Sequence, residues 1–114
     1  MLAVIFEVWP NEGEREPYLA LAASLREELV KMDGFISIER FESLSEKGKL
    51  LSLQFWRDEE SIKAWREKLE HRSAQAQGRA RMFRDYRLRV ATVTRDYGIK
   101  QRDQAPTDSR AAHG

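Results

Sequence analysis

The apolar residues of this chain alternate between two spacings, every second residue as in a strand and every third or fourth as in a helix. The order in which those spacings follow one another most restricts the fold. Residues Leu2 to Trp9 form an apolar, β-branched run interrupted only by Glu7 and closed by Pro10 and Asn11, which predicts a strand and a turn. From about Glu14 to Met32, the residues Tyr18, Leu21, Ala22, Leu25, Leu29 and Met32 recur at helical spacing and make one apolar stripe, which Asp33 and Gly34 end. A second strand over Phe35 to Glu42 and a polar turn over Ser43 to Gly48 lead into a third strand, Lys49 to Trp56. There Leu51, Leu53 and Phe55 share one face, and Ser52, Gln54 and Trp56 the other. Asp58 then caps a second helix with the stripe Ile62, Trp65 and Leu69, which turns polar towards Gln75 and breaks or bends at Gly78. Met82 to Val93 reads as a long last strand, with Tyr86, Leu88, Val90 and Thr92 alternating against Arg87, Arg89, Ala91 and Val93.

The order strand, helix, strand, strand, helix, strand predicts an α+β, ferredoxin-like βαββαβ fold, one antiparallel sheet with its helices on a single face. Such a sheet leaves its other face partly apolar and a long edge strand unpaired, and a second copy packed sheet to sheet would cover both. A homodimer is therefore expected.

A chain of 114 residues is expected to hold one domain, placed here at residues 1–98, with a tail over 99–114 too poor in apolar side chains to offset its ordering entropy and expected to be disordered. Its longest apolar runs are too short to cross a bilayer and its start lacks a signal-peptide pattern, so no membrane association and a cytoplasmic location are expected. The absence of Cys agrees with that compartment and removes thiolate nucleophiles and Cys-ligated metal. A net charge of +1 gives no electrostatic reason to bind nucleic acid, although basic residues greatly outnumber acidic ones between Arg79 and Arg102. That cluster reads either as a solvated strand face partnering acidic residues such as Glu7, or as a basic mouth for an anionic ligand.

The run from Ser52 to Trp65, the following Glu70 to Gln75, and the ending Phe83 to Val90 resemble the centre and the close of antibiotic-biosynthesis-monooxygenase domains, a likeness extending over about Met1 to Gly98. The resemblance implies a dimeric α+β barrel in which two subunits join their sheets. Family activities include oxygenation of aromatic polyketides by dioxygen without metal or flavin, haem degradation, and reactions of small quinones or signalling molecules. The haem-degrading branch carries an Asn on the first strand, a Trp on the second helix and a His beyond it. Trp65 matches the second of these, while Glu7 and Gln75 stand where the others would be.

His71, the only histidine before the tail, and Glu7, a carboxylate in an apolar strand, are the candidate catalytic groups. Each also has a structural reading, His71 as a surface residue and Glu7 as an ion-pair partner of Arg89 or Arg87. Trp65, Gln75, Phe83, Tyr86 and Arg89 are candidate substrate-binding residues, with core packing as the alternative for the aromatic ones. Trp9 and Trp56 are expected to cover the sheet rim. There is no phosphate loop, nucleophile elbow or metal signature, and two histidines make no convincing metal triad, so no metal or cofactor is expected. The resemblance implies a cofactor-independent oxygenase of a small aromatic or quinol-like molecule. A ligand-binding or accessory dimer that does not turn substrate over is the alternative, and a haem-binding or haem-degrading protein the third.

Overall fold

A computed structural model describes residues 1–75 and 81–114, with the side chains of 71–75 outside that description. Its elements are β1 (Leu2–Pro10), α1 (Arg15–Leu29), β2 (Phe35–Glu42), β3 (Leu50–Trp56), α2 (Glu59–Gln75), β4 (Phe83–Thr92) and α3 (Thr107–His113). The strands form one sheet in the order β2-β3-β1-β4, and every neighbouring pair is antiparallel. This is the ferredoxin-like α+β arrangement that the order of periodicities predicts. The predicted break at Gly78 lies outside the described residues.

Local chemistry sets the element ends. The α1 helix closes at Leu29, short of the expected Met32, because Lys31 N–H and Met32 N–H turn to the carbonyls of Glu28 and Leu29 at 3.2 and 3.0 Å, a tighter winding than the helix. Gly34 then reverses the chain at φ +84°, and its carbonyl accepts from Arg57 N–H at 2.8 Å. Asp58 caps α2 as expected, its Oδ1 accepting from Ser61 N–H at 2.9 Å and from Ser61 Oγ–H at 2.7 Å.

Register fixes which side chains share a face. Across the sheet, Val90, Val4, Gln54 and Ile38 form one row, and Leu88, Phe6, Ser52 and Arg40 the next. These rows lie under α1 and α2, where Val4, Leu29, Ile38, Trp56, Ile62 and Trp65 make the larger core cluster and Val8, Tyr18 and Leu50 the smaller. Trp56, expected at the rim, is instead fully buried, edge-on to Phe35 with ring centroids 5.4 Å apart, its Nε1–H satisfied by Gln54 Oε1 at 2.8 Å. The reason is register: Trp56 pairs with Leu2 and Phe35 at the place where the sheet meets α2. Ile5, Leu51, Leu53 and Phe55 project from the opposite face and belong to neither cluster.

The β4 strand is an edge, paired only with β1, and its Tyr86, Leu88 and Val90 are 57%, 50% and 42% exposed although they share the helix-side rows. The segment after it, expected to be disordered for want of apolar residues, carries the short α3. One side chain organises it: Arg102 donates to the carbonyls of Gly98 and Gly114 and to Ser109 Oγ, at 3.2, 3.0 and 2.9 Å, and its guanidinium lies over the Tyr97 ring.

Candidate functional site

Between the sheet and its two helices the packing leaves a cavity of about 200 Å³. Its floor is the pair of rows through Val4 and Phe6. Its roof is the inward stripe of α1 from Tyr18 to Leu29 and that of α2, with Ile62, Trp65 and Leu69. Trp65 is 6% exposed and belongs to both the core cluster and the cavity wall, so the two readings of it coincide. At one end the aromatic rings interlock: Phe83 meets Tyr18 at 5.4 Å and Phe6 at 6.0 Å, both edge-on.

Polar groups interrupt this apolar lining at one wall. Ser52 is 3% exposed with its Oγ unpartnered, and the Nε of Arg40 is likewise buried without a hydrogen-bond partner. The two residues are direct partners across the β2–β3 ladder and face the same cavity. A buried donor left unmade costs about 1–3 kcal/mol, more when charged, so both atoms gain from an acceptor entering the cavity. Arg26 and Arg66 also line the space with their side chains exposed, and no carboxylate is among the described lining residues.

The candidate residues scatter about this site. Trp65 and Phe83 line it. Tyr86 stands beside the aromatic end, 5.6 Å from Phe6, without lining the cavity. Glu7 and Arg89 point the other way, from the face opposite the helices; there Glu7 accepts from Arg89 Nη1 at 3.3 Å and lies 3.6 Å from Lys49 Nζ. The basic residues of β4 accordingly do not line the cavity, and the exposed Arg26 and Arg66 do. His71 and Gln75 belong to α2, but their side chains lie outside the described residues. Sequence reasoning missed Arg40 and Ser52. Their signal was a polar residue at the same strand phase as the buried Ile38, and a Ser in a strand otherwise rich in Leu.

An apolar, partly enclosed space of this kind desolvates a small ligand while directing hydrogen-bond donors at any oxygen it carries. Among the described residues no group of three or more His, Cys, Asp or Glu could hold a metal ion, and no helix is long and apolar enough to cross a membrane.

Residues 1–77 match the family model described as antibiotic biosynthesis monooxygenase. A protein of Pyricularia oryzae named jasmonate monooxygenase ABM is 50% identical over 94 residues, which cover 82% of this chain and 44% of that one; the chain thus spans less than half the length of that relative. The structure of Rv0793 from Mycobacterium tuberculosis superposes with a TM-score of 0.71 at 21% identity, covering 85% of this chain and 98% of the other. A structure of an MhuD variant with two manganese protoporphyrin IX molecules per active site superposes at 0.66 and 15% identity, covering 86% and 99%. At those identities the two structures speak for the fold alone.

Proposed function

The chain belongs to the antibiotic biosynthesis monooxygenase family, and from that premise we propose that it oxygenates a small aromatic or quinol-like molecule held in the cavity under α1 and α2, using dioxygen without metal or flavin. The observation that carries this reading is the cavity itself: apolar walls including Trp65 and Phe83, with two unpartnered donors on one side. The jasmonate monooxygenase, half identical over most of this chain, supports the reaction class.

In this reading the substrate supplies the electrons. Loss of a proton from an activated CH₂ beside the ring leaves a carbanion that passes an electron to dioxygen, and the two radicals combine. One oxygen atom then remains as a carbonyl, and the other leaves as water with the two hydrogens. The protein excludes bulk water, orients the ring between Trp65 and Phe83, and stabilises the anion through donors in the wall. His71 is our candidate for the proton acceptor; Glu7 is not, because it is paired with Arg89 on the other face of the sheet. Haem does not enter this reading, because Glu7 and Gln75 stand where the haem-degrading branch of the family carries its Asn and His.

We also propose that two copies pack sheet to sheet, covering Ile5, Leu51, Leu53 and Phe55 and the exposed edge at β4. A second reading, a dimer that binds its ligand without turning it over, is favoured by the lack of a carboxylate among the described lining residues. Oxygen-electrode measurements with phenols, quinols and anthrone-type CH₂ substrates, with chelator present, separate the two. Uptake that falls on His71→Ala supports the oxygenase, whereas no uptake with any substrate, despite saturable binding, favours the binding protein.

A further inference from the structure

The polar wall of the cavity specifies more than a small apolar molecule. Resting on the reading that this cavity is the substrate site, we propose that the substrate carries a carboxylate, anchored by Arg40 and Ser52. Three observations converge on this. The Nε of Arg40 and the Oγ of Ser52 are both buried without partners. They stand opposite each other in the β2–β3 ladder on the cavity side, at the separation of about 5 Å between Cβ atoms usual for paired strands. The lining contains three arginines, Arg26, Arg40 and Arg66, and no carboxylate among its described residues.

Ligand chemistry follows from the donor count. A neutral carbonyl or a phenol oxygen satisfies one of the two buried donors well, leaves the other unmade, and does not pair the charge of the half-buried Arg40. A carboxylate presents two oxygens, one for Arg40 Nε–H and one for the Ser52 hydroxyl, and neutralises that charge. A phosphate is larger and more highly charged than this pair of donors matches, and apart from the exposed Arg26 and Arg66 the rest of the described lining is mostly apolar. Arg26 and Arg66, exposed at the cavity's outer end, favour entry of an anion over a neutral analogue. The apolar body of the acid then lies against Trp65 and Phe83, and the carboxylate fixes which of its carbons faces the site of oxidation.

The test is equilibrium binding, independent of turnover. A panel of aryl and cycloalkyl acids, 2-naphthylacetic acid among them, is titrated by calorimetry and Trp fluorescence beside the methyl ester of each. The expected result is that acids of fitting size bind roughly 10- to 100-fold more tightly than their esters, a preference that Arg40→Gln abolishes and Ser52→Ala reduces, with an unchanged unfolding midpoint and circular dichroism in both variants as the check that the fold still forms. A panel in which no acid outbinds its ester, whether because both bind equally or because neither binds, overturns the proposal, as does an acid preference that survives Arg40→Gln. Oxygen uptake is not read in this experiment. Acid selectivity without uptake leaves the anchor standing and removes the oxygenase reading, and uptake without acid selectivity does the reverse.

Discussion

Phe83, at the first position of β4, meets Tyr18 of α1 edge-on at 5.4 Å and 74°, tying the last strand to the first helix across one end of the cavity. The two rings are 65 residues apart in sequence, so this contact forms only when the whole sheet is assembled. Phe83→Ala removes it together with the Phe6 contact. We expect about 2 kcal/mol of destabilisation in urea unfolding, below the range for fully buried phenylalanines because Phe83 is half-buried, and a larger proportional loss of ligand affinity.

The turn between α1 and β2 depends on Gly34 for space as well as for backbone freedom. A Cβ at Gly34 would collide with Ser61 Oγ, whereas one at Gly48, at a similar φ of +86°, would meet nothing within 4 Å. Gly48→Ala therefore reports backbone strain alone, about 1 kcal/mol, and Gly34→Ala is expected to cost at least about twice as much. Equal unfolding midpoints for the two variants would contradict this.

Acid weakens the same corner. Arg57 donates to Asp33 at 2.9 Å and to Asp58 at 2.9 Å, and Asp58 also accepts from Ser61. Hydrogen bonding by Arg57, then by Ser61, holds Asp58 at about 2, below its ordinary 3.8, and Arg57 lowers Asp33 as well. A carboxylate depressed in the folded state contributes stability above its unfolded value and loses it as pH falls through the folded one. Wild type is thus expected to exceed Arg57→Gln in stability at pH 6, with the gap closing between about pH 4 and about pH 2; a gap independent of pH would show that the charges contribute nothing.

Sheet-to-sheet pairing predicts a change of mass. Leu53 lies at the centre of the face opposite the helices, between Ile5 and Glu39. In sedimentation the wild-type chain is expected as a dimer, and Leu53→Glu as a monomer with unchanged circular dichroism. A wild-type monomer at micromolar concentration would end the proposal.

Much of the architecture was legible because periodicity and turn chemistry act locally. The two stripes, the Gly34 stop and the Asp58 cap each need only neighbouring residues, and together they order the elements. Strand phase was less legible. The alternation in β3 separates Leu51, Leu53 and Phe55 from Ser52, Gln54 and Trp56 but does not say which set lies under the helices, and the less apolar set does. That choice places Ser52 and Arg40 in the cavity wall and turns Glu7 and Arg89 away from it. It is settled by the register of β1 and by Trp56 packing beneath α2, contacts between segments far apart in the chain. The short α3 was not legible for a related reason: Arg102 meets backbone carbonyls there, and composition counts apolar residues instead.

Oxidation inside the cavity is tested most directly by ¹⁸O₂ labelling of a turned-over CH₂ substrate, with wild type compared with Leu88→Trp. Leu88 lines the space but is half exposed, so a larger ring there fills the cavity without disrupting the core. One labelled oxygen is expected in the wild-type product, with the label lost in Leu88→Trp at an unchanged unfolding midpoint. An unlabelled product, or equal labelling rates in the two proteins, would contradict it.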